Sequence, residues 1–133
     1  MKPDAQSVVD ACSQGSEDNS LTFPQQLKML AEVGVEGYYT DLRRNRKIYY
    51  LPDGDSLKSN AQPIGVVIPE RFDPAGVVAA VKQSQAGGLT YKDFCKKVMA
   101  AGCSCYVVSL LGRRVVYLGR TGETHVEHFP PTK

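Results

Sequence analysis

The stretch LTYKDFCKKVMAAGCSCYVVSLLGRRVVYLGRTGET, residues Leu89 to Thr124, decides how this chain is read, because Leu21 to Ser56 is a diverged copy of it. A shift of 68 positions, the distance from Leu21 to Leu89, pairs Thr22 with Thr90, Lys28 with Lys96, Gly34 with Gly102 and Tyr38 with Tyr106. It also pairs Leu42 with Leu110, Arg46 with Arg114, Tyr49 with Tyr117 and Gly54 with Gly122. The chain therefore reads as a tandem duplication, with repeats at about 4–68 and 73–129.

Within this stretch Thr90 and Asp93 form a helix start, as Thr22 and Gln25 do in the first copy. A hydroxyl before the helix accepts an orphan backbone N–H, and the residue three places on can answer it. Tyr91, Cys95, Val98 and Met99 make one apolar stripe, matching Phe23, Leu27, Leu30 and Ala31. Gly102 and Gly34 close these helices. Earlier in each copy, Asp4 with Ala5, Val8, Val9 and Cys12 predicts a helix ending at Gly15, and Asp73-Pro74 with Val77, Val78 and Val81 predicts its counterpart.

After each glycine comes an alternating hairpin. Residues 35–43 and 46–51 turn at Arg44-Asn45, and that register places Tyr38, Thr40 and Leu42 on one face with Lys47, Tyr49 and Leu51. Residues 103–111 and 114–119 repeat the hairpin with more apolar residues, which predicts the central position in the sheet. Ile64 to Ile68 reads as a buried strand between Pro63 and Pro69, and Thr124 to Phe129 as a last strand before a loose tail at 130–133. Two helix-helix-hairpin units build an α+β two-layer sandwich, an antiparallel sheet with helices on one face, as a single domain over 1–133.

Composition narrows the function classes. A chain of 133 residues with 42% hydrophobic content can bury a core without disulfides or metals. Its start lacks the apolar run of a signal peptide and no stretch is long enough to span a membrane, so a cytoplasmic protein with reduced Cys12, Cys95, Cys103 and Cys105 is expected. A net charge of +2 is too small to specify a polyanionic partner. No phosphate-binding glycine loop and no nucleophile elbow is present.

Three clusters carry chemistry. Arg43, Arg44, Arg46 and Lys47 at the first hairpin tip, with tyrosines at its base, fit a basic ribbon that grips phosphates, or else a solvated tip that guards an edge. Cys103 and Cys105 share a strand face, but His125 and His128 are three apart on a strand and point to opposite sides, so neither a metal nor a cofactor is expected. Arg120, Glu123 and His125, with Tyr117 nearby, form the ligand-binding candidate. Glu123 and Glu127 would flank the imidazole and stabilise its cationic form, and Arg120 would add an anion contact.

The pattern L-T-[FY] opening a helix, Ala100-Ala101-Gly102 ending it, Y-x-x-x-L in the strand and the closing Tyr117-Leu118-Gly119-Arg120-Thr121-Gly122-Glu123-Thr124-His125 resembles the YdfO-like and YbcV-like family of small bacterial and prophage proteins. The resemblance covers nearly the whole chain. It implies a two-layer α/β fold and a prophage association, and it brings no catalytic residues. The resulting expectation is a non-enzymatic binding or regulatory module acting through a host or phage partner. A small-ligand binder or enzyme using a pocket near His125 is the second reading, and nucleic-acid binding through residues 43–47 the third.

Overall fold

Asp4 caps the first helix by accepting from the Ser7 amide at 2.7 Å, and α1 (Ala5–Glu17) follows with Val8, Val9 and Cys12 buried. It runs two residues past Gly15, the expected stop. Gly15 serves close approach, since a Cβ there would meet the side chain of Leu21. In α2 (Phe23–Glu32) the Thr22 and Gln25 box is complete, with both reciprocal hydrogen bonds formed. Its buried face is carried by Gln26 and Leu30, while Phe23 stands 41% exposed against Phe129. A computed structural model describes residues 4–129; the tail expected at 130–133 lies outside the described residues.

The strands follow as β1 (Gly37–Asp41), β2 (Arg46–Tyr50) and β3 (Ser56–Asn60). Then come α3 (Pro74–Gln85), α4 (Tyr91–Ala100), β4 (Cys103–Ser109), β5 (Arg114–Gly119) and β6 (Thr124–His128). A shift of 68 carries Phe23–Glu32 onto Tyr91–Ala100 and Ser56–Asn60 onto Thr124–His128. Left-handed backbone recurs at the same shift, at Gly34 and Gly102, Asn45 and Arg113, and Gly54 and Gly122.

All six strands join one antiparallel sheet in the order β3-β2-β1-β4-β5-β6. The centre is thus the β1–β4 pair, with one hairpin on each side, and not the second hairpin as expected. The more apolar hairpin need not be central, because its outer face is only half buried. Around the centre the register is symmetric: Tyr39 faces Val107, Gly37 faces Ser109 and Asp41 faces Cys105. The strand expected at Ile64–Ile68 is absent, and the polar segment Ser56–Asn60 pairs with β2 instead. Edge pairing needs backbone donors rather than apolar side chains, while Pro63, Pro69 and the left-handed Gly65 break any ladder over 63–69.

The strands alternate, except where an irregularity between Cys103 and Cys105 leaves both Cys103 and Ser104 buried at the start of β4. Tyr38, Tyr49, Tyr106, Val108, Val115 and Tyr117 point into a core closed by Val9, Cys12, Leu30, Val77, Cys95, Val98 and Met99 of the helices. Among the described residues no helix lies over the opposite sheet face. Its middle row reads Lys58, Ile48, Tyr39, Val107, Val116 and Val126 across the six strands. Among the described residues no helix is long and apolar enough to cross a membrane.

Candidate functional site

Register brings the ends of β1 and β5 to the same end of the sheet, so Arg43, two residues beyond β1, and Arg120, one residue beyond β5, become neighbours. With Val66 and Ile68 they line a cleft of about 260 Å³. Arg120 donates from Nη1 to the Ile68 carbonyl at 3.1 Å, which holds its guanidinium against the 63–69 segment. Arg44 stays 69% exposed and reaches Asp41 only at 4.0 Å, while Asp41 accepts the backbone N–H of Arg43. Two arginines beside two aliphatic side chains suit a small anion with an apolar part.

The turn that follows is tied up locally. Thr121 donates to Glu123 at 2.8 Å, so Glu123 does not flank His125 as expected. Glu127 does: its carboxylate takes Nε2 of His125 at 2.5 Å, and the imidazole stacks on Tyr117 with centroids 6.5 Å apart. Burial, helped by the charges of Cys103 and Glu127, pushes the Tyr117 phenol up and keeps it protonated. His125 faces the helix side of the sheet edge, so it and the Arg43–Arg120 cleft do not form one site.

Lys47 leaves the hairpin patch altogether. Arg43, Arg44 and Arg46 are exposed, whereas Lys47 is 8% exposed in the core, with Nζ 4.4 Å from the Tyr91 ring centroid and 5.7 Å from that of Tyr38. Alternation already placed Lys47 beside Tyr49. Its charge suggested the surface, but the strand period decides. Burial pulls its amine down to about 8. The amine lies at a second, small cleft of about 20 Å³, walled by Ser13, Ser16, Glu17, Asn45, Ser59 and Tyr91.

The uncovered sheet face was the feature least visible in the sequence. Tyr39 and Val126 are each 38% exposed there and Tyr50 43%. Arg46, Lys58 and Arg114 stand on the same face, with Asp41 the carboxylate among them and His128 at its far edge. Beneath Tyr39 lies Cys105, whose thiol bonds the phenol and pushes it up to about 12. Cys12, Cys95 and Cys103 are buried thiols, and no three His, Cys, Asp or Glu side chains among the described residues are grouped to hold a metal ion.

Over 108 residues the chain is 30% identical to Uncharacterized protein Rv2012 of Mycobacterium tuberculosis (strain ATCC 25618 / H37Rv) and to Uncharacterized protein Mb2035 of Mycobacterium bovis. The match covers 80% of this chain and 66% of each relative, so the chain spans just under two thirds of their length. Residues 15–127 match the family model described as "Protein of unknown function (DUF1398)". The chain belongs to the DUF1398 family of uncharacterised proteins.

Proposed function

We propose that this chain is a non-enzymatic binding module that docks single-stranded nucleic acid on its uncovered sheet face. One observation carries the reading: a row of Ile48, Tyr39, Val107, Val116 and Val126 lies open across the sheet, bordered by Arg46, Lys58 and Arg114 with Asp41 as the opposing charge. An open sheet with exposed aromatics stacks bases, and flanking cations hold the phosphates. Tyr39 and Tyr50 supply the rings. A second copy is a poorer occupant, because face-to-face pairing would bring three cations against three with a single carboxylate on each side. The same reading takes the domain as two repeats, 4–68 and 73–129, derived by duplication, and keeps the prophage association that the YdfO-like and YbcV-like resemblance implies.

Fluorescence anisotropy with a labelled single-stranded oligonucleotide tests it. With three phosphates neutralised by Arg46, Lys58 and Arg114, the log–log slope of affinity against salt is about −2. No binding at low salt by the folded protein overturns the proposal.

The Arg43–Arg120 cleft supports a second reading, a site for a small anionic ligand. It replaces the expected pocket near His125, because the arginine cleft is open while His125 is engaged by Glu127 and Tyr117.

A further inference from the structure

Positions 47 and 115 are equivalent in the two halves: each is the second residue of its strand, and each faces the helices. Val115 fills its place at 6% exposure, so this position in the sheet is satisfied by an aliphatic side chain. Lys47 puts a primary amine there at 8% exposure. An amine withdrawn from water costs stability unless it is paired. The ion pairs among the described residues are Arg44–Asp41 and His125–Glu127, and neither involves Lys47.

The amine's surroundings are aromatic and polar rather than anionic. Tyr38 of β1 and Tyr91 of α4 present their rings, and the thiols of Cys12 on α1 and Cys95 on α4 stay protonated because burial raises them. Glu17 of α1 is the one carboxylate on the cleft wall, and it is exposed at the mouth. The Ser13 and Ser59 hydroxyls bond each other at 2.8 Å, tying α1 to β3 along the cleft. The amine is thus withdrawn from water, free of a salt bridge and reached through an opening.

We infer that Lys47 is a nucleophilic amine that condenses with small uncharged carbonyl compounds entering this cleft. The nitrogen lone pair attacks the carbonyl carbon, forming a C–N bond while the carbonyl oxygen takes up a proton and the nitrogen loses one. The carbinolamine then takes a proton from solvent and expels its hydroxyl as water, leaving the iminium ion, which gives the imine when its nitrogen returns that proton to solvent. A space of about 20 Å³ admits one or two water-sized groups, which restricts the partner to an aldehyde of roughly one or two carbons. Glu17 at the mouth disfavours anionic keto acids. The lowered amine pKa, about 8, supports the inference by leaving a neutral fraction at pH 7 that exposed lysines lack.

Reductive trapping tests this on the native chain. The protein is exposed to dilute acetaldehyde with cyanoborohydride at pH 7, and peptide mapping compares ethylation of Lys47 with that of the exposed Lys58. Lys47 should react at least about tenfold faster, given its larger neutral fraction. In urea the two rates should converge, because the preference resides in the folded cleft. Equal rates in the native protein, or a preference that survives unfolding, overturns the inference.

Discussion

Tyr39 and Val107 face each other across the centre of the sheet and occupy equivalent positions in the two halves, so each central strand meets its own counterpart there. The pair also forms the middle of the uncovered face. Tyr39→Ala should therefore weaken single-stranded nucleic-acid binding by about 1–3 kcal/mol, the worth of one stacked base. Arg46→Ala should make the salt slope shallower by about 0.7, one phosphate contact fewer on a single strand. Anisotropy titrations at several salt concentrations read both. Variants that bind like the parent would remove the sheet face from consideration.

Lys47 makes the folded protein sensitive to alkaline pH with a definite sign. Its amine titrates near 8 when folded against an ordinary 10.5, so between those values the unfolded chain holds more protons and this residue's contribution to stability rises with pH. The full effect is about 3 kcal/mol. Cys12, Cys95, Cys103 and the buried tyrosines act in the opposite direction: burial raises them, so their contribution is lost as the unfolded groups ionise. The difference between the parent and Lys47→Met cancels those groups. In urea melts the parent should gain on the variant from pH 8 to 10, and Lys47→Met should be neutral or stabilising at pH 7. A difference independent of pH would mean that the amine remains protonated in the fold.

Gly34 and Gly102 are equivalent helix ends with φ of +87° and +97°, but their surroundings differ. Open space surrounds the missing Cβ of Gly34, whereas at Gly102 a Cβ would collide with the Arg71 carbonyl oxygen. Gly34→Ala should cost about 1–2 kcal/mol from left-handed strain alone. Gly102→Ala should cost about 1–3 kcal/mol more, because backbone must move. Denaturation midpoints of the two variants give the comparison, and equal losses would contradict it.

The arginine cleft predicts selective anion stabilisation. Inorganic phosphate at ten times its dissociation constant should stabilise the protein by about 1.4 kcal/mol, a rise of a few degrees in melting temperature. Arg120→Ala should abolish the shift and Arg44→Ala should leave it, since Arg44 does not line the cleft. Equal loss in both variants would indicate nonspecific screening instead.

Local rules were legible residue by residue. Thr22 and Thr90 cap their helices as the capping pattern predicts, because an N-cap hydrogen bond spans only three residues. The alternation of Tyr38, Thr40, Lys47 and Tyr49 likewise marked one side of the first hairpin, since the strand period is a property of the backbone. A shift of 68 also carries the bounds of Phe23–Glu32 onto Tyr91–Ala100. What the sequence left open was settled by contacts between distant segments. The polar Ser56–Asn60 became a strand because β2 offered it an unpaired edge, and Ile64–Ile68 did not because its prolines could not answer one. Arg43 and Arg120 met only because β1 and β5 run the same way on either side of β4, a consequence of strand order that no local pattern encodes. The sequence by itself determined which side of the first hairpin is apolar; only the tertiary structure decided that the helices cover one face of the sheet and leave the other, with Tyr39 at its centre, open to solvent, because coverage depends on where the chain returns and not on which residues it carries.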